Sequence, residues 1–258
     1  MKKVRRVYQT GSFREVCDVW ASDRYRPRGA RIRGNARKRQ MDANMKAAQR
    51  ELTRILNGNF AYDTGSLLCS LSFDQEPADR KQAKKLFNKF WKDLRKLCKQ
   101  NGRELKVCGV VSDMDGDTGD TVRWHVHVVL DGCTVEHVRE LWSLGVVDCR
   151  TIRKEKTHAR LAAYLLKQCR CAADEKKWFT SRNLERTRLL SETEIQGSPK
   201  YRLPKGAEII AQGEYCPEEG KLLYLQIQMP EKGAEIPRQA RDDRGRGPKK
   251  DKRTNRKE

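Results

Sequence analysis

The stretch Arg123-Trp124-His125-Val126-His127-Val128-Val129-Leu130 decides how the chain is read. Its alternation predicts a strand, in which every second side chain points to the same face. His125 and His127, two of the four histidines, therefore project side by side. Trp124, Val126, Val128 and Leu130 line the opposite face and can pack on a core. Two imidazoles held together on a rigid sheet supply two of the three protein ligands usual in an open divalent-metal site. The same spacing also describes a strand whose histidines merely face solvent.

Working outward, Leu105 to Ser112 reads as a second strand, followed by a loop, Asp113 to Asp120. The alternating aspartates resemble a calcium loop, but Trp124 stands where that loop needs its glutamate. A hairpin is the better reading, with the histidine strand returning antiparallel. It brings Ser112 and Asp113 towards the histidines. Further upstream, Leu67, Cys69, Leu71 and Phe73 share one face of a strand. Pro77 and Asp79 open a helix to about Gln100, with an apolar stripe from Ala83 through Phe87, Phe90 and Leu94 to Cys98. Downstream, Thr134 caps a short helix and Val146 to Ile152 is a strand. The order β-α-β-β-α-β implies an α+β class: a ferredoxin-like split βαβ antiparallel sheet, with helices on one face. Its open face would carry His125 and His127.

Thr157 to Cys169 reads as a helix. Ala162, Leu165, Leu166 and Cys169 fall on one side, Arg160, Tyr164 and Lys167 on roughly the other. Tyr164 and Lys167, three apart, are surface neighbours. By itself this also describes an amphipathic helix with an ordinary basic face.

A net charge of +21 over 258 residues points to a polyanionic partner, with nucleic acid ahead of an anionic membrane. No apolar run is long enough to span a membrane, and no secretory signal is read at the N-terminus. Residues 1–40 read as a basic arm whose Arg31, Arg33 and Arg37 would contact phosphates. Residues 41–190 hold the strands and helices just described, residues 191–230 a small extension built on a hairpin, and residues 231–258 a disordered basic tail. The nine cysteines form no C-x-x-C pair, so reduced thiols in a cytoplasmic protein are expected.

His125-Val126-His127 resembles the histidine-hydrophobe-histidine motif of the HUH endonucleases, and Tyr164-Leu165-Leu166-Lys167 their Y-x-x-K motif. The order of apolar strand, histidine motif and tyrosine helix also agrees. Within that superfamily the chain is most similar to rolling-circle replication initiators of phages, plasmids and integrating elements. Lys177 to Leu184 is similar to a segment that often follows the tyrosine helix there. Arg160 stands where some members carry a second tyrosine, so the resemblance implies a single-tyrosine enzyme. It implies a metal-dependent nickase of single-stranded origin DNA, with Tyr164 as nucleophile and Lys167 beside it. His125, His127 and Asp113 would hold Mn²⁺ or Mg²⁺, with Asp115 behind them, and Arg123 and Arg160 would contact DNA. No P-loop is present, so a separate helicase and polymerase are expected as partners, and no membrane. A transposase or mobilisation relaxase shares these motifs. A non-catalytic nucleic-acid binder shares the sheet, but its usual exposed stacking aromatics are missing from the histidine face.

Overall fold

The apolar side of each alternating strand is buried. Leu67, Cys69 and Leu71 on one strand and Val126, Val128 and Leu130 on another share a core with Phe87, Phe90 and Leu94 of the long helix. The computed structural model describes residues 2–21, 35–61, 63–168, 176–197, 200–215 and 222–230. In chain order these form β1 (Lys2–Thr10), β2 (Phe13–Ala21), α1 (Asn35–Asn59), β3 (Leu67–Ser72), α2 (Arg80–Gln100), β4 (Lys106–Met114) and β5 (Thr121–Asp131). There follow α3 (Val135–Leu141), β6 (Val147–Thr151), α4 (Ala159–Lys167), β7 (Phe179–Thr180), β8 (Arg188–Glu194), β9 (Glu208–Tyr215) and β10 (Leu222–Gln228).

The fold is α+β, with two antiparallel five-stranded sheets. The first runs β6-β3-β5-β4-β7. Its first four strands have the order expected of a split βαβ sheet: α2 links β3 to β4 with β5 between them, and α3 links β5 to β6 with β3 between them. Both crossover helices cover the same face. The Asp79 carboxylate caps α2, accepting the Gln82 N–H at 2.7 Å. β7 adds a fifth strand beside β4, where Phe179 lies over Gly109. A Cβ there would come within 2.9 Å of the Phe179 ring and 2.6 Å of the His127 carbonyl oxygen.

The face expected to be open is partly covered. Leu52 and Leu56 of α1 and Ala162, Leu165 and Leu166 of α4 pack on Cys108, Val110 and Val129. Both helices lie outside the β-α-β-β-α-β unit. They leave exposed ground towards His125 and the outward side of β6.

The second sheet runs β8-β1-β2-β10-β9. Residues 2–21, read from sequence as part of a basic arm, are thus two paired strands. Their charges are internal: the Arg5 guanidinium donates to both oxygens of buried Asp18, at 2.7 and 3.1 Å. The expected hairpin at the other end is β9-β10, and β10 pairs directly with β2. Arg54 of α1 joins this sheet to the rest. It donates to fully buried Glu15 and lies 3.8 Å above the Tyr8 ring.

Cys69 and Cys149 are register partners on β3 and β6 and are joined by a disulfide. Reduced thiols were expected throughout. The partners lie 80 residues apart in sequence, and only the strand register brings them together.

Candidate active site

Rows of side chains across the first sheet build the site. In an antiparallel ladder, directly paired residues share a face. His127 pairs with Ser70 and Val110, and Ser70 in turn with Asp148. His125 pairs with Ser72 and Ser112. Small hydroxyls on both sides leave room above the imidazoles, and Asp148 and Arg150 of β6 stand on the same face.

The two rings meet edge to face, with their Nε2 atoms 2.9 Å apart. His125 Nδ1 lies 2.9 Å from the Arg123 carbonyl oxygen. A carbonyl can only accept, so neutral His125 carries its proton on Nδ1 and leaves Nε2 bare. The contact between the rings then needs the His127 proton on Nε2. His127 Nδ1 is left bare, 3.4 Å from the Tyr164 hydroxyl. The expected strand and the expected helix are therefore in contact through these two side chains.

α4 is fixed at its start. The His158 N–H donates to Asn57 Oδ1 at 2.7 Å, and His158 Nε2 donates to the Phe60 carbonyl at 3.0 Å. These bonds tie the first turn of the tyrosine helix to the end of α1. Burial pushes the pKa of His158 down, against the pull of that carbonyl. The sequence reading did not single out this histidine.

Burial pushes His127 down to about 4, helped by the positive charges of His125 and Arg150. It is a neutral ring at ordinary pH. Tyr164 is pushed up, first by burial, with Asp117, Asp115 and Asp148 adding to the shift and Arg150 opposing it. Arg150 thus acts on both the tyrosine and its histidine. It also lines a cavity of about 220 Å³ beside Tyr164, together with Arg153 and Arg160 over a floor that includes Leu68 and Ile152. Sequence reasoning missed Arg150 and Asp148. The only signal was their alternation with Cys149 in a strand whose neighbours were unknown.

The expected residues fall into different places. Lys167 is exposed in the last turn of α4. Arg160 is at the cavity. Arg123 turns its guanidinium back onto the Phe73 and Asp74 carbonyls, at 3.0 and 2.5 Å, so it braces the end of β3. Arg31 and Arg33 lie outside the described residues, and Arg37 is in α1 with its side chain outside them.

The imidazole pair suits a divalent ion. With bonds of ~2.0–2.1 Å, two nitrogens 2.9 Å apart subtend close to a right angle at an ion between them, as along an octahedral edge. The carboxylate is less well provided. Among the described residues, no three histidine, cysteine or acidic side chains form a metal-type cluster. Asp113 lies in a β-bulge between Ser112 and Met114, where the Ser112 hydroxyl accepts the Met114 N–H at 3.0 Å. The Asp115 carboxylate accepts the N–H groups of Asp117 and Thr118, at 2.8 and 3.1 Å, which hold its pKa below the usual range.

Residues 66–169 match a family model of replication-associated proteins of the ORF2 type. The match starts at the foot of β3 and ends just past α4. It contains the split βαβ unit, both histidines and Tyr164, and leaves out the second sheet. Neither a curated protein nor a solved structure matches the chain. Among the described residues, no helix is long and apolar enough to cross a membrane.

Proposed function

We propose that the chain starts DNA replication by nicking a single strand at an origin, as a single-tyrosine enzyme of HUH type. The Tyr164 oxygen attacks a backbone phosphorus, and the bond from phosphorus to the 3′-oxygen breaks. A 5′-phosphate is left on the tyrosine, and the departing oxygen takes a proton from water to become a free 3′-hydroxyl. The observation that carries this reading is the Tyr164 hydroxyl at His127 Nδ1, within the stretch that matches a replication-associated family.

Burial makes Tyr164 a weaker acid than a free phenol, so the attack needs help. His127 gives it in either ring arrangement. With Nδ1 bare it accepts the hydroxyl proton; with Nδ1 protonated it donates to the phenolate oxygen. Arg150 favours the phenolate, and Arg150 and Arg160 line the cavity where a phosphate would lie. Lys167, one turn beyond Tyr164, adds positive charge at the outer edge. His125 and His127 would hold Mn²⁺ or Mg²⁺, with Asp113 or Asp115 as the carboxylate donor, and the ion would supply charge at the phosphate. The reading includes a cytoplasmic setting and a separate helicase and polymerase to use the new primer end.

Incubation with single-stranded origin-like oligonucleotides and Mn²⁺, followed by mass spectrometry, tests it. A nucleotide adduct on Tyr164, lost in Tyr164→Phe, is expected. Cleavage that persists in Tyr164→Phe would remove the nucleophile assignment, and intact oligonucleotides with the wild-type chain would remove the enzyme.

A further inference from the structure

A second concentration of positive charge lies away from the tyrosine. A groove of about 670 Å³ runs between the C-terminal half of α2 and the segment after β7, with Trp91, Arg95, Lys99, Arg103 and Arg182 in its wall. Arg95 and Lys99 sit one turn apart on a single helix stripe that begins at Trp91. Arg103 follows the end of the helix, and Arg182 comes from the far side of the tyrosine helix in sequence. All four cations are exposed. Among the described residues, the ion pairs within 4.0 Å involve none of them. Glu104 is the one carboxylate in the wall. Cations near a helix C-terminus complement its dipole, but that does not account for Arg182.

The chemistry of the groove says what it can hold. Its neutral polar groups already have partners: Ser181 Oγ accepts the Val107 N–H at 3.0 Å, and Asn183 Nδ2 donates to the Leu105 carbonyl at 3.2 Å. The Trp91 ring packs against Phe87 and Phe179, with centroids 6.2 and 6.0 Å away. No base-edge reader and no free stacking platform is left, and single-strand grooves depend on the latter. What remains is guanidinium and ammonium charge, which grips phosphates without reading sequence.

Position gives the groove a length scale. α2 packs on the face of the sheet opposite His125 and His127. Leu105, at the groove, and Ser112, beside His125, are at opposite ends of the same strand, ~23 Å apart at ~3.3 Å per residue. We propose that this groove holds the sugar–phosphate backbone of duplex DNA flanking the strand cut at Tyr164. The assignment of the flanked strand rests on the function proposed above. A duplex rising ~3.4 Å per pair must extend at least about seven base pairs from the cut to reach it.

The test uses the full chain and DNA of arbitrary sequence: a single-stranded segment carrying a duplex arm of four or of twenty base pairs. The wild type is expected to bind the long-arm DNA at least tenfold more tightly. The quadruple variant Arg95→Gln, Lys99→Gln, Arg103→Gln, Arg182→Gln should lose that gain. Its log–log salt slope for the long arm should flatten by about 3, at ~0.9 per phosphate contact. Lys81→Gln, Lys85→Gln, Lys89→Gln, Lys92→Gln removes equal charge from other positions on α2 and should keep most of the gain. No arm-length gain in the wild type, or equal losses in the two variants, overturns the proposal. Nicking of a bare single strand, run in parallel, reports on the Tyr164 reading separately.

Discussion

The Tyr164 hydroxyl lies 3.4 Å from His127 Nδ1, while His127 Nε2 lies 2.9 Å from His125 Nε2. One imidazole therefore faces the nucleophile on one side and its fellow histidine on the other. A glutamine at 127 has similar length and polarity but cannot exchange a proton in this way. His127→Gln is expected to keep oligonucleotide affinity within a few fold. Single-turnover cleavage should slow by ~10²–10⁴, the usual contribution of a positioned acid–base group. A slowing of less than threefold would mean that His127 plays no part in activating Tyr164.

Arg150 is exposed, yet its charge is felt at Tyr164, where it opposes the upward push of burial. Removing it should make the phenol weaker still. In Arg150→Gln the alkaline limb of the cleavage pH profile should move to higher pH, and the rate at neutral pH should fall by about tenfold or more. The tyrosinate titration, taken as a difference from Tyr164→Phe, should move the same way. A rate loss with no shift in either titration would leave Arg150 as a phosphate contact only.

The depressed pKa of His127 also predicts an acid-sensitive fold. The native ring titrates at about 4 and the unfolded one at 6.5. Between those values the unfolded chain binds more protons, so stability falls as pH drops from about 6.5 towards 4 and is flat above that window. The full shift corresponds to roughly 3 kcal/mol. Urea unfolding at pH 5 and pH 7.5 should show much of this loss in the wild type and a smaller one in His127→Gln, where buried His158 still contributes. Equal pH dependence in both proteins would assign the acid sensitivity elsewhere.

The split βαβ unit was legible because its signals are local. Period two in residues 67–73, 105–112 and 124–130, and a three-to-four stripe from Ala83 to Cys98, each settle an element by itself. The histidine pair and the tyrosine were legible for the same reason. Lateral neighbours were not. Arg150 and Asp148 enter the site, and Cys149 meets Cys69, only through the β6–β3–β5 register. β1 and β2 were hidden by their charges, since Lys3, Arg5, Glu15 and Asp18 in a strand read as solvent-facing. In the fold they are buried beside opposite charges supplied by other segments. Even α4, read correctly as a helix, gave no hint that its first turn is tied to Asn57 and Phe60.

The Arg54–Glu15 pair puts a magnitude on that hidden sheet. Glu15 is fully buried and is held by Arg54 and by the Tyr224 hydroxyl at 3.2 Å. Arg54→Ala removes the balancing charge and the cation over Tyr8, leaving a carboxylate that cannot be rehydrated without opening the sheet. Breaking a buried pair in this way typically costs ~3–5 kcal/mol. Replacing both partners by apolar groups of similar size, Arg54→Met with Glu15→Leu, should recover most of that loss, because no buried charge is then left alone. Denaturant unfolding of the two single variants and the double variant gives the coupling directly. A double variant as unstable as the sum of its singles would show that the contact carries no energy of its own and that the second sheet is held to α1 by other means.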